Sequence, residues 1–169
     1  MVAGIVSVDH IAEPAGTAIE LRLFGPLTVL RDGAALALPP SRKARALLAY
    51  LAVSPHPVSR SRLCELLWDL PSDPRAELRW CLTKLRALLD SDDRKRVLTA
   101  DDRISLDLSD CIVDACEVVA AVRAGLDNVE LEALRRLAAR CAGEFLQGIE
   151  IDHSQEFEQW LAGCRSELR

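Results

Sequence analysis

The 169-residue sequence has no long hydrophobic run and no recognisable N-terminal signal peptide. Its longest apolar stretch, residues 46–53, is far shorter than the ~18 residues that a membrane-spanning helix needs. The first ten residues, MVAGIVSVDH, lack both the basic start and the long apolar segment of a secretion signal. We therefore expect a cytoplasmic protein with no membrane partner.

Residue patterns typical of catalytic or metal sites are also missing. Six cysteines occur in no tight pattern, and the three histidines are scattered singly. Cys111 and Cys116 lie five residues apart, which is not the spacing of a metal-binding pair. No Gly-rich phosphate loop, GxSxG turn or pair of catalytic carboxylates occurs. We expect a non-enzymatic protein with no cofactor, no metal and reduced, mostly buried thiols.

Charge is distributed unevenly along the chain. The overall net charge is −5, yet residues 40–100 hold 12 basic and 7 acidic side chains, a balance of +5. Residues 101–169 hold 7 basic and 15 acidic side chains, a balance of −8. The basic centre suits a polyanion such as nucleic acid, and the acidic end suits solubility or a different partner. Chance drift in composition is the alternative interpretation.

Apolar periodicity predicts an α+β fold, with a sheet, three helices and a hairpin in that order. After a flexible arm over residues 1–17, with a short strand at 5–8, alternating apolar residues predict three antiparallel strands, the last at Leu36 and Leu38. Three helices follow, and then a hairpin that turns at 101–102. The remainder has helical period. We predict two domains, residues 18–109 and an all-helical segment over 110–169.

Capping residues predict where several helices begin and end. Ser59 suits the N-cap of the second helix. Asp73 suits the N-cap of the third, because Pro74 then occupies the first helical position, where its missing N–H costs nothing. In the second domain, Gly125 predicts a helix end and Ser154 predicts a helix start.

The predicted third helix, residues 74–89, has two different faces. Leucines at positions 78, 82, 85 and 89 lie within ~60° of one another and form a core stripe. The opposite face presents polar and basic side chains: Arg79, Trp80, Thr83, Lys84 and Arg86, with Arg75 at the first turn. Such a helix fits the DNA major groove, where arginine pairs with guanine and threonine meets a thymine methyl or a phosphate. A solvated basic face is the alternative.

Other side chains extend this predicted DNA-binding site. Arg42, Lys43, Arg60 and Arg62 lie near helix starts, where backbone N–H groups and basic side chains hold phosphates. Trp80 has two interpretations, contact with thymine methyls or the sugar backbone, and packing against a neighbouring loop or the C-terminal helices. Trp68 and Trp160 are predicted to lie in the core or between domains.

Three segments together resemble the DNA-binding domain of the SARP family of bacterial transcriptional activators. They are LRLFGPLTVL, PSRKARALLAYLAV and VSRSRLCELLWDLPSDPRAELRWCLTKLRALLD, and the resemblance covers about residues 19–108. It implies an OmpR/PhoB-type winged helix with a four-stranded N-terminal sheet. It also implies that helix 75–89 enters the major groove, that hairpin 95–107 is the wing, and that loop 68–74 can touch RNA polymerase.

The rest of the chain is similar to the opening of the bacterial transcriptional activation domain, an array of paired helices like tetratricopeptide repeats. The matching positions are Asp114, the run Gly143-Glu144-Phe145-Leu146, and Trp160-Leu161. Family versions of this domain are longer, so the resemblance implies either a minimal domain or a fragment of a larger regulator.

The hairpin turn departs from what a DNA-binding wing requires. Its tip is Asp101-Asp102, and two carboxylates near phosphates repel them. Either Arg103 reaches the DNA instead, or the wing stays off it.

Taken together, these patterns predict a sequence-specific transcriptional regulator, an activator, that binds double-stranded DNA as two copies on repeated half-sites. Helix 74–89 would read the bases, and loop 68–74 with the helical segment would contact RNA polymerase or another protein. The alternative is a winged-helix interaction or dimerisation module without direct DNA binding.

Overall fold

A computed structural model describes residues 18–68, 73–125, 129–152 and 154–168. The predicted arm over 1–17, its short strand and most of loop 68–74 lie outside these residues. Within them, the fold mixes α-helices with two small sheets. The strands are β1 (Ile19–Arg22), β2 (Thr28–Arg31), β3 (Ala34–Ala35), β4 (Val58–Ser59), β5 (Val97–Ala100), β6 (Arg103–Leu106) and β7 (Cys111–Val113). The helices are α1 (Arg42–Val53), α2 (Arg60–Leu67), α3 (Pro74–Leu89), α4 (Asp114–Ala124), α5 (Leu131–Arg140) and α6 (Gln155–Glu167).

The first sheet has four strands in the order β3-β2-β1-β7. β1 and β2 are antiparallel, with Ile19 opposite Arg31. The third strand was predicted at Leu36 and Leu38, but β3 lies at residues 34–35, directly after the Asp32-Gly33 turn. Because both turn residues have positive φ, of 51° and 79°, the chain reverses sharply and pairs with β2 at once.

The fourth strand comes from the segment that was predicted to be all helical. β7 runs parallel to β1, with Ile19 opposite Cys111 and Leu21 opposite Val113. The prediction of a purely helical 110–169 and of a purely antiparallel first sheet was therefore wrong. The physical reason is the distant partner β1, beside which β-branched Ile112 and Val113, residues that favour extended backbone, form a strand with Val113 buried.

Helix caps follow the sequence closely. The Ser59 side chain accepts a hydrogen bond from the Arg62 N–H at 3.2 Å, at the start of α2. Asp73 caps α3, and its Oδ1 accepts from the N–H groups of Arg75 and Ala76 at 3.1 and 3.2 Å. α4 ends at Gly125 and Ser154 caps α6, so these predicted ends are confirmed.

The second sheet has the order β4-β6-β5 and is built around the predicted hairpin. β5 and β6 pair antiparallel across the Asp101-Asp102 turn, where Asp101 has a φ of 52°. The short strand β4 joins the other side of β6, with Ser59 opposite Arg103. Since Ser59 also caps α2, this pairing ties the start of α2 to the hairpin.

The helical C-terminal region packs directly on α1 and α2. Phe157 of α6 is fully buried, and the Ser154 hydroxyl donates a hydrogen bond to the Leu66 carbonyl oxygen of α2. The half-buried Trp160 ring meets Tyr50 of α1 with centroids 5.0 Å apart. Trp68, at the end of α2, is buried. The packing predicted for these two tryptophans is what the structure has.

A connector between α5 and α6 adds to the first sheet. The Gly25 N–H donates to the Glu144 carbonyl oxygen at 2.9 Å, and the Leu146 N–H donates to the Leu23 carbonyl oxygen at 2.7 Å. These bonds join two segments named separately in the sequence analysis, LRLFGPLTVL and residues 143–146. Among the described residues, no helix is both long and apolar enough to cross a bilayer.

Candidate nucleic-acid interface

The inner face of α3 is anchored by its leucines. Leu78, Leu82, Leu85 and Leu89 are all at most 1% exposed, as the predicted stripe requires. Cys81 and Leu88 are buried beside them. Fully burying one leucine stabilises a fold by about 2 kcal/mol, so this face holds the rotation of α3 about its axis firmly.

The opposite face of α3 is open to solvent. Arg75, Arg79, Thr83 and Lys84 are exposed, and Arg86 is half-buried. None of these side chains takes part in a salt bridge with a described residue. The face therefore presents four cationic groups to solvent.

Trp80 lies in the middle of this face and is 43% exposed. The Lys84 ammonium sits 5.2 Å from the centre of its ring, a cation–π distance. Packing of Trp80 against the C-terminal helices is not among its described contacts, and most of the neighbouring loop lies outside the described residues.

Two arginines from outside α3 hold its C-terminal carbonyl groups. Arg31 of β2 donates from Nη2 to the Leu88 carbonyl oxygen at 2.9 Å. Arg96, only 4% exposed, donates from Nη1 to the Leu89 carbonyl oxygen at 3.2 Å. Its Nη2 donates to the Asp110 carboxylate at 2.6 Å. Positive charge is favourable at a helix C-terminus because of the helix dipole. These contacts fix the end of α3 against the first sheet and the hairpin.

Replacing Arg96 with methionine is expected to lower the free energy of unfolding by about 2 kcal/mol, because the Leu89 carbonyl and the Asp110 carboxylate lose a charged donor. Urea denaturation measures the change. Arg94→Met is the matched control, since the Arg94 side chain bonds Asp107 and Ser109, lies 3.9 Å from the Asp110 carboxylate and, within the described residues, makes no hydrogen bond to α3. The control should lose less than about 1 kcal/mol. Equal losses in the two variants would contradict the role given to Arg96.

Cations from α1 and α2 lie near α3. Burial raises the pKa of the Cys64 thiol in α2, and the charges of Arg75 and Arg60 oppose that rise. Burial also raises the pKa of Cys81 in α3 to about 11, against the charge of Lys43. Basic groups from α1, α2 and α3 therefore lie within electrostatic range of these two buried thiols.

The predicted phosphate-binding residues differ in their surroundings. Arg42 is exposed at the start of α1. The Lys43 ammonium lies 5.4 Å from the centre of the Trp68 ring. Arg60 is half-buried, and its N–H donates to the Asp102 carbonyl oxygen at 2.8 Å. Arg42 is therefore the most accessible of these three cations.

Arg62 has partners within the protein. Its guanidinium forms a salt bridge with Glu156 of α6 and a second, at 3.7 Å, with Glu65. Burial lowers the pKa of this group, but the hydrogen bond and charge of Glu156 outweigh it and the net shift is upward. From the sequence, Arg62 was predicted to be a phosphate-binding cation at a helix start. The local pattern gives no indication of Glu156, its partner 94 residues away.

The hairpin tip carries the two carboxylates that, from the sequence, were expected to repel phosphates. Asp101, Asp102 and Arg103 are all exposed, so two carboxylates and one guanidinium share the tip. Arg103 lies opposite Ser59, next to the start of α2. The tip as a whole carries more negative than positive charge.

A cleft of about 530 Å³ separates the end of α3 from the hairpin. Arg86 lines it from α3, and Lys95, Val97 and Thr99 line it from the hairpin side. Lys95 was not among the predicted DNA-binding residues. The signal was present, because residues 94–96 read Arg-Lys-Arg, but the linear pattern does not separate a buried structural arginine, Arg96, from the exposed Lys95 beside it.

The six cysteines are free thiols, three of them buried and three half-buried. Within the described ranges, no group of three or more metal-ligating side chains is close enough to hold an ion.

No family model and no curated protein sequence matches the chain. Among solved structures, it is similar to EmbR of Mycobacterium tuberculosis, determined in complex with a low-affinity phosphopeptide. The TM-score is 0.69 at 24% sequence identity, over 90% of this chain and 43% of the EmbR chain. The likeness shows that the chain shares the fold of part of EmbR, and the chain spans less than half the length of EmbR.

Proposed function

We propose that this protein is a sequence-specific DNA-binding regulator of transcription that reads the major groove with α3. The observation that carries the proposal is the orientation of this helix. Its leucines are buried while Arg79, Thr83 and Lys84 face solvent. A groove about 12 Å wide admits one such helix, provided that the outward face is uncovered and cationic.

The overall arrangement supports this reading. Three strands of the first sheet, three helices and a hairpin follow one another in the order expected of an OmpR/PhoB-type winged helix, with α3 as recognition helix and β5–β6 as wing, and the fourth strand, β7, comes only after the hairpin. The fold likeness to EmbR, a SARP-family regulator, agrees with regulation of transcription. The paired helices α4 and α5 would then begin a tetratricopeptide-like activation region.

Side chains around α3 take different roles in the proposed complex. Arg79 and Arg86 are placed to pair with guanines, because they lie on the solvent side of α3 without carboxylate partners among the described residues. Arg42, Lys43 and Arg60 would hold phosphates at the starts of α1 and α2. Arg62 is left out of these contacts, since Glu156 and Glu65 already neutralise it.

As an activator, the protein would also contact RNA polymerase through loop 68–74 or through the acidic helical region. A single recognition helix makes few base contacts, so two copies on repeated half-sites would supply the affinity that one lacks. Such a protein works in the cytoplasm, where bacterial DNA is found.

Replacing Arg79 or Arg86 with alanine is expected to weaken binding to the selected DNA site by about 2 kcal/mol, roughly thirtyfold in Kd. The reason is the loss of a bidentate contact to one guanine. The site is first obtained by selection from a random DNA pool. Fluorescence anisotropy then measures Kd for each variant from low to moderate salt.

Two control variants make this measurement specific. Arg136→Ala removes an exposed arginine of α5, far along the chain from α3, and should leave Kd unchanged. Arg42→Ala should weaken all DNA sequences alike and reduce the salt slope by about 1, as the loss of a phosphate contact does. Wild-type affinity in both α3 variants would show that α3 is not the reading helix.

A second candidate is a winged-helix module that binds protein instead of DNA. The exposed Asp101-Asp102 tip favours it, because carboxylates at the wing repel phosphates. Salt dependence separates the two candidates. A DNA binder releases counterions and loses affinity steeply as salt rises, whereas a protein module would show no DNA binding even at low salt.

A further inference from the structure

We propose that α3 recognises thymine methyl groups through an apolar ridge formed by Ala76, Trp80, Thr83 and Ala87. This inference rests on the proposed function and specifies which bases the protein reads. It predicts that the half-site contains thymines facing the centre of α3, with guanines beside them.

The ridge follows from helical geometry. Its members are spaced at i, i+4, i+7 and i+11, and at 100° per residue they fall within about 60° of one another. This direction is opposite the buried leucine stripe. All four side chains are exposed. α3 therefore has a second apolar line on the side where a soluble helix is ordinarily polar.

Thr83 presents its methyl group. Its hydroxyl donates a hydrogen bond to the Arg79 carbonyl oxygen, one turn back in the same helix, at 3.0 Å. The single O–H proton is thus used inside the helix and is not available to a base. The hydroxyl oxygen can still accept a hydrogen bond, and the γ-methyl is available to an apolar partner.

Charge beside the ridge points to DNA as its partner. Arg75, Arg79 and Arg86 project along one flank, and on the other flank Lys84 lies over the Trp80 ring beside the exposed Glu77. The four cations form no salt bridges with the described residues. An apolar line with arginines along one side matches a groove with apolar methyls on its floor and phosphates on its walls.

The dimensions of the ridge fit a short run of bases. From Ala76 to Ala87 it is about 16 Å long, which corresponds to about five base pairs. The alanines at its two ends have no long side chain, so the helix can approach the base edges closely. Thymine is the base whose major-groove edge carries a methyl group, and apolar side chains such as that of threonine contact it.

The test substitutes deoxyuridine for thymine in the selected DNA site, one position at a time. Deoxyuridine keeps the hydrogen-bonding edge and removes only the methyl. Each methyl that contacts the ridge should cost about fourfold in Kd when removed, because one buried methyl group is lost. Substitution at thymines outside the half-site should change nothing.

Two substitutions at Thr83 assign one of these methyls without disturbing the fold. Thr83→Ser keeps the hydroxyl and removes the γ-methyl, so one deoxyuridine position should lose its effect in this variant. Thr83→Val keeps the γ-methyl, so deoxyuridine substitution should weaken its binding as much as it weakens binding of the wild type. Trp80→Ala should abolish the effect at a neighbouring position. Val122→Ala, which shortens an exposed apolar side chain of α4, should preserve every effect.

The outcomes separate this inference from the proposed function. If the wild type binds no DNA, the proposed function is wrong, and so is the inference that the ridge recognises thymine methyl groups. If the wild type binds DNA but no deoxyuridine substitution weakens it, only the thymine inference is overturned, and the ridge would be a protein contact. If deoxyuridine weakens binding of Thr83→Ser and Trp80→Ala as much as it weakens binding of the wild type, the thymine methyls do not contact the ridge and the inference is overturned.

Discussion

Replacing Asp114 with alanine is expected to lower the free energy of unfolding by about 4 kcal/mol. This buried carboxylate accepts hydrogen bonds from the N–H groups of Leu23 and Phe24 at 2.8 and 3.0 Å, and from the Ala115 N–H at 2.7 Å. Alanine leaves these buried donors without an acceptor, at a cost of about 1–3 kcal/mol for each group. The melting temperature should fall by roughly 12 °C.

Asp114→Asn separates the two contributions of this side chain. Burial raises the pKa of the Asp114 carboxyl, while its N–H donors lower it by stabilising the charge. Asparagine keeps one acceptor oxygen and places no charge in the interior, so its loss of stability should be smaller than that of alanine. Asp93→Ala, at an exposed turn position, is the control and should change little. Guanidinium denaturation provides the comparison, and a neutral Asp114→Ala would refute this role.

Replacing Gly143 with alanine is expected to destabilise the protein by about 3 kcal/mol, since it combines backbone strain with a steric clash. Gly143 has a φ of 124°, and an added Cβ would lie 2.8 Å from the Gly25 Cα. Backbone faces backbone here, so no side chain can move aside. The connector should loosen from the first sheet, and faster amide exchange at Leu146, whose N–H bonds the Leu23 carbonyl, would report it.

Gly163→Ala is the matched control for this substitution. Gly163 lies within α6, and an added Cβ there would meet no atom within 4 Å. Alanine in a helix interior is favoured over glycine by about 1 kcal/mol, so this variant should be slightly more stable than the wild type. Destabilisation of both glycine variants alike would show that the Gly143 effect does not come from its contact with Gly25.

Local patterns predicted the elements whose signals are complete within a few residues. Asp73 and Pro74 fixed the start of α3, and its leucine spacing fixed which face is buried. The Asp101-Asp102 turn placed the hairpin. In each case the side chains that decide the structure also stand next to one another in the sequence, so propensity and pattern agree.

Contacts between residues far apart in the sequence could not be predicted from local patterns. β7 forms a strand because β1 offers it a parallel neighbour, and three residues are too few to show a period. Arg62 was predicted to be a free cation, but in the structure it forms a salt bridge with Glu156. Arg96 belongs to a basic run, yet it is buried because Asp110 and the end of α3 supply its partners. The candidate site was therefore predictable on α3 itself and less so around it.

The parallel pairing of β7 with β1 has a consequence for protein production. β1 has hydrogen-bonded neighbours on both sides only because residues 111–113 return beside it. A chain shortened to residues 18–109 would leave one side of β1 as an uncovered edge, with a row of unsatisfied amides able to template pairing with another chain. A nascent polypeptide meets the same hazard until residue 113 has left the ribosome. Aggregation during expression should therefore drop sharply once the fragment extends past Val113.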